Sequence, residues 1–145
     1  MQNQEVLWVA DDRWEYRLIF DVVNTTILDK EVLELVFEGL DTLAKVTLND
    51  AVLGSTDNFH RSWAFPVKKY IKPANNTLVV TFESAVKYSR DQHRLWANIS
   101  LPEVFAHVRK PHFHFGWDWA AQLTTCGIFK PVYLRGYSYA RIVST

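Results

Sequence analysis

The chain has 145 residues, of which 48% are hydrophobic and 22% charged, and its basic and acidic residues balance to a formal net charge of zero. That is the composition of one folded domain with a substantial core, and without a lysine or arginine cluster it argues against nucleic acid or an anionic membrane as partner. No apolar run approaches a membrane-spanning length, and the opening MQNQEVLWVADDRW has neither the basic nor the apolar region of a signal peptide.

Along the chain the apolar period is mostly two, as in half-buried strands. Trp14, Tyr16, Leu18 and Phe20 share one face, with Arg13, Glu15 and Arg17 opposite. Leu33, Leu35 and Phe37 alternate with Glu34 and Glu38, which read as solvated surface charges. A break at Gly39-Leu40-Asp41 precedes Ala44, Val46 and Leu48, and Asn49-Asp50 reads as a tight hairpin turn into Ala51-Val52-Leu53. Pro66 and Pro73 bracket a connector or short helix over Val67 to Lys72, and Leu78, Val80 and Phe82 form the next apolar face. From Ser84 to Pro111 the alternation fails, and an excursion of that length is expected to be functional or partly helical. Pattern returns at Ile128–Leu134, where Pro131 implies an edge or a bulge, and at Tyr137–Val143. Short strands, hardly any helix and no repeat or linker predict a single all-β domain over residues 1–145, a β-sandwich with Trp14, Tyr16, Phe20, Leu35, Phe37, Val46, Leu48, Val80 and Phe82 in its core.

The densest chemistry lies in His112-Phe113-His114-Phe115-Gly116-Trp117-Asp118-Trp119. Sugar sites use such residues: an indole face covers the C–H side of a pyranose, and a carboxylate accepts hydrogen bonds from hydroxyls. In an extended strand Trp117 and Trp119 point one way and Asp118 the other. In a loop all three can converge. The alternative is an aromatic core cluster with Asp118 capping a turn. His112 and His114 would share one side of an extended segment, but a metal site needs a third ligand such as His107 or Asp118, and aromatic packing explains the pair more simply. No metal or other cofactor is therefore expected.

Other signals are weaker. A retaining glycosidase needs two carboxyl groups roughly 5–5.5 Å apart, and no glutamate pair stands out here. There is no nucleophile elbow and no glycine-rich phosphate loop. Cys126 is the only cysteine, so no internal disulfide forms, and it reads as a packing residue. N-x-S/T sequons begin at Asn24, Asn75 and Asn98, which suggests glycosylation in a secretory or lysosomal setting.

Taken together, Arg109-Lys110-Pro111, Phe115-Gly116-Trp117-Asp118-Trp119 and Gly127-Ile128-Phe129-Lys130-Pro131-Val132 resemble the amino-terminal sandwich of β-mannosidases in glycoside hydrolase family 2. The likeness runs over nearly the whole chain, through Asp12-Arg13-Trp14-Glu15-Tyr16, Gly39-Leu40-Asp41-Thr42, Asp57-Asn58, Phe65-Pro66-Val67 and Ser84-Ala85-Val86-Lys87-Tyr88. It implies a galactose-binding-like jelly roll that packs on a separate (β/α)8 barrel carrying the acid/base and nucleophile glutamates. On that reading no catalytic residue lies in this chain. Trp117, Asp118 and Trp119 reach into the barrel mouth to bind a β-mannoside oligosaccharide, while Asn58 and Arg109 match family positions to which the resemblance assigns no role beyond the option of supporting the loop. The chain would then be a piece of a longer lysosomal or secreted enzyme. The alternatives are a free-standing carbohydrate-binding module or a structural sandwich that docks through its aromatics. The chain departs from the family at Ala120-Ala121, where Gly-Pro is usual, at Cys126, where glutamine is usual, and over His60-Arg61-Ser62-Trp63.

Overall fold

A computed structural model describes residues 4–96, 105–119 and 122–142. Nine strands dominate the described residues: β1 (Trp14–Phe20), β2 (Val32–Phe37), β3 (Leu40–Asp41), β4 (Ala44–Leu48), β5 (Ala51–Thr56), β6 (Trp63–Pro66), β7 (Asn76–Phe82), β8 (Gly127–Ile128) and β9 (Val132–Tyr137). They form a four-stranded sheet in the order β1-β7-β4-β5, a three-stranded sheet β6-β2-β9 and a small pair β3-β8, all antiparallel. The expected all-β sandwich is the fold.

Register explains the core. Val80 stands opposite both Tyr16 and Val46, and Leu78 opposite both Leu18 and Leu48, so one face of three strands is lined by large side chains that are apolar except for the Tyr16 hydroxyl and the buried Asn76 at the end of β7. Against them lie Leu33, Leu35 and Phe37 of β2, with Phe65 edge-on to Phe37 at 6.1 Å. Phe37, Val46, Leu48, Val80 and Phe82 are fully enclosed, as alternation predicts. The hairpin turn forms as read: Asn49 and Asp50 have φ of 49° and 67°, the left-handed angles of a type I′ turn. The Asn49 amide also donates to Tyr70 O at 2.7 Å and to Asn76 Oδ1 at 2.9 Å, tying the turn to the connector before β7.

Several expectations need correction. Trp14 and Phe20 are half-buried rather than buried, and Tyr16 is 45% exposed. The cause is position in the sheet. β1 is the outermost strand of the larger sheet, and the facing sheet leaves its inner side over an open apolar groove of about 480 Å³ that Tyr16, Leu18, Phe20, Val132 and Leu134 line. Glu34 is not a free surface charge: its carboxylate is held by Arg135 at 2.9 Å, with Arg141 at 3.9 Å. Leu40-Asp41 is a short paired strand rather than only a break. Residues 67–72 take the connector form, one of the two expected there, whereas the strand expected over Tyr137–Val143 ends at Tyr137, followed by a turn with Tyr139 at φ 70°; Val143 lies outside the described residues. Pro131 lies just before β9, where its carbonyl accepts from Glu38 N at 3.1 Å.

The excursion after Ser84 opens with α1 (Ala85–Leu95), so helix is more prominent than expected. Ser84 caps it, accepting from Lys87 N at 3.0 Å while its hydroxyl donates to Ala10 O. Ala85 and Val86 pack with Val108 and Phe115 in a second, smaller core that seats the base of the aromatic segment. No helix among the described residues is long and apolar enough to cross a membrane.

Candidate functional site

The aromatic segment is not extended. After Pro111, residues His112–Phe115 form one 3-10 turn, which sends Phe115 into the smaller core and leaves Phe113 72% exposed. Gly116 follows with φ +88°, an angle that disfavours any side chain, and a Cβ there would lie 3.2 Å from the Cα of Gln122. Gly116 therefore lets the backbone close the neck of the loop that begins at Trp117.

Beyond the neck the chain turns at Asp118 and Trp119. The Trp117 and Trp119 rings meet edge to face, with centroids 6.2 Å apart and planes at 73°. They are 66% and 84% exposed. Asp118 is exposed between them, and its carboxylate makes no hydrogen bond or ion pair with any described residue. Two open indoles and an acceptor without a partner among the described residues thus share one turn. A sugar uses this combination, with C–H faces on the rings and hydroxyls to the acid. Ala120 and Ala121 lie outside the described residues.

Below the neck the loop stands on a buried polar cluster. Lys110 has a fully buried side chain, and its ammonium pairs with Asp41 of β3 and donates to Thr125 O at 2.7 Å. Asp41 also accepts from Thr42 Oγ1 at 2.5 Å, and its second oxygen lies 3.4 Å from Thr125 Oγ1 and 3.5 Å from His114 Nδ1. Burial pulls the Lys110 pKa down, although Asp41 opposes the shift. Burial and then the Lys110 charge pull His114 down, again against Asp41, so its imidazole is held neutral. Burial likewise pushes the Cys126 thiol up, which keeps it protonated and inert among core residues.

Asn58 and Arg109 meet as an isolated parallel bridge, and Phe59 N donates to Arg109 O at 2.9 Å. Arg109 also reaches Asp57 at 3.3 Å. These contacts brace the strand entering the loop. The suggested metal grouping is not assembled. His112 turns to Phe105, His114 faces Asp41, and His107 bonds His93 at 3.2 Å. Among the described residues no three His, Cys, Asp or Glu side chains converge as a metal site would require.

The Asp41–Lys110 pair escaped the sequence reading. Its signal was a lysine set between arginine and proline at the head of an aromatic run, where a solvated charge is out of place. Of the sequon asparagines, Asn24 and Asn75 are exposed, whereas Asn98 lies outside the described residues. Asn24 Oδ1 accepts from Thr26 N at 3.2 Å, and Asn75 sits in a turn at φ 57°.

Residues 1–130 match the family model described as glycosyl hydrolase 2 galactose-binding domain-like. The chain is 35% identical to β-mannosidase B of Thermothelomyces thermophilus over 91% of its own length, and 32% identical to the β-mannosidase of Capra hircus over 97%. It superposes on the crystal structure of a β-D-mannosidase from Dictyoglomus thermophilum with a TM-score of 0.87 at 34% identity, covering 96% of this chain. It spans only 16–17% of the length of these proteins.

Proposed function

The chain belongs to the glycosyl hydrolase 2 galactose-binding-like family, and on that footing we propose that it is the amino-terminal sandwich of a retaining β-mannosidase. In this reading the domain supplies Trp117, Asp118 and Trp119 to bind the terminal β-D-mannose of an oligosaccharide. The catalytic carboxylates lie in a (β/α)8 barrel against which the sandwich packs, and the protein works as a glycoprotein of the lysosome or the secretory route. The observation that carries the site is the open turn itself: two exposed indoles beside a carboxylate with no partner among the described residues. A core cluster would have hidden the rings, and a capping aspartate would have spent its oxygens on backbone N–H groups.

The division of labour follows. The rings present apolar faces to the sugar's C–H side. Asp118 takes hydroxyl protons as hydrogen bonds, which fixes the orientation of the mannose before the barrel acts. Neither task transfers a proton or forms a bond, so these residues bind and orient. In the enzyme that carries this domain, Asp118→Ala should lower kcat/KM for an aryl β-mannoside about ten- to a hundredfold, since a hydrogen bond to a charged group contributes roughly 1.5–3 kcal/mol. The melting temperature should stay unchanged. Unaltered kcat/KM in a folded variant would remove the substrate role.

A further inference from the structure

We infer that the buried Asp41–Lys110 ion pair positions the Trp117–Trp119 turn, making both residues positioning residues for the sugar contact. The inference rests on the reading of that turn as the sugar platform. The pair is a poor device for stability. An ammonium with no solvent exposure is costly to bury, and replacing a buried ion pair with neutral side chains of similar shape is often neutral or stabilising. Its geometry suits another task.

Three rungs join the two legs of the loop. Lys110 Nζ on the first leg donates to Thr125 O on the second at 2.7 Å. Thr124 Oγ1 donates back to His114 O at 3.2 Å. Gly116 then lets the legs touch, a Cβ there lying 3.2 Å from Gln122 Cα. Asp41 stands beneath the first rung. It holds Lys110, faces Thr125 Oγ1 and His114 Nδ1, and belongs to β3, whose partner β8 continues directly from the second leg. His114 Nδ1 is buried without a hydrogen-bond partner, so the imidazole is placed by packing against Phe59 and Phe113 rather than by a bond of its own. Among the described residues the charged pair thus ties both legs to the sheet through side chains. A charge pair fixes direction as well as distance, which an apolar contact at the same place would not.

The test uses the chain labelled with 5-fluorotryptophan and read by fluorine NMR, with Trp117 and Trp119 assigned by W117F and W119F. Trp14 and Trp63, packed against the main core, serve as internal references. In D41N/K110M, which removes both charges together, the Trp117 and Trp119 resonances should shift or broaden while those of Trp14 and Trp63 stay in place. Unmoved loop signals overturn the inference, as does equal movement of all four, which marks a general structural role. If the double variant does not fold, Asp41→Glu decides. It keeps both charges but displaces the carboxylate by one methylene from Lys110, and the loop resonances should move while those of Trp14 and Trp63 stay in place; loop resonances that stay put overturn the inference. No sugar enters the readout, so failure here is separate from failure of the Asp118→Ala experiment.

Discussion

Phe59 and Phe129 lie face to face, with ring centroids 4.2 Å apart and planes only 6° from parallel. Phe59 also turns toward His114 at 5.8 Å and 88°. The stack joins the loop after β5 to the turn before β9, with Phe59 edge-on to His114. The aromatic residues of this protein thus serve two ends: some seal the base of the loop, and others stand open at its tip.

The contrast between centre and edge of the sandwich is measurable. Phe37 is fully enclosed, so Phe37→Ala should cost about 3–5 kcal/mol of unfolding free energy. Leu18 has the same strand periodicity but is 55% exposed, and Leu18→Ala should cost less than about 1 kcal/mol. Denaturant unfolding of the two variants checks the ordering, and equal losses would mean that β1 is covered.

The hairpin turn can be improved. Asp50 holds φ 67°, a left-handed angle that costs a non-glycine residue roughly 1 kcal/mol. Asp50→Gly gives the Asn-Gly pair that type I′ turns favour, and should raise stability by up to about 0.5 kcal/mol after the larger unfolded-state entropy of glycine is counted. A lower melting temperature would show that the Asp50 side chain contributes more than its backbone angle costs.

His114 gives stability a pH dependence with a definite sign. Its folded pKa lies below the ordinary 6.5, first through burial and then through the Lys110 charge. The unfolded chain therefore binds the proton more readily. The stability present above pH 6.5 is lost as the pH falls toward the folded value. His114→Gln should flatten the melting-temperature profile below pH 6.5 while leaving its alkaline side unchanged. A profile as steep as that of the unaltered chain would assign the slope to other histidines.

Glycan occupancy should differ among the sequons. Asn75 is exposed in a turn, and its backbone N–H donates to Asp21 at 2.8 Å, leaving the side-chain amide nitrogen clear. Expression in a eukaryotic secretory host should give a glycan at Asn75, removed by an endoglycosidase and abolished by Asn75→Gln. Recovery of the bare peptide by mass spectrometry would withdraw the sequons as a sign of compartment.

Alternation was enough to place β2, β4, β7 and the Asn49-Asp50 turn, because a strand covered on one face has little choice of register. It failed where coverage is a property of neighbours. Tyr16 and Leu18 carry the same pattern as Val80 and Phe82, and only the order of strands shows that one row meets a facing sheet and the other a groove. The helix after Ser84 has too little apolar content to stand out, since only Ala85, Val86 and Ser89 are buried. At the site, Trp117, Asp118 and Trp119 were legible as residue types, but not the turn that brings them together. Asp41 and Lys110 are 69 positions apart, and no local spacing announces such a pair.

The uncovered flank along β1 has a colloidal consequence. An outermost strand offers a row of unpaired backbone groups to any other chain, and here that row carries exposed Leu18 and Ile19. Glu15 and Arg17, paired at 2.9 Å and exposed on the same strand, set charge beside that edge. Neutralising them would leave this edge with less charge to oppose pairing with a second chain, a change confined to β1 and remote in sequence from the Trp117–Trp119 turn.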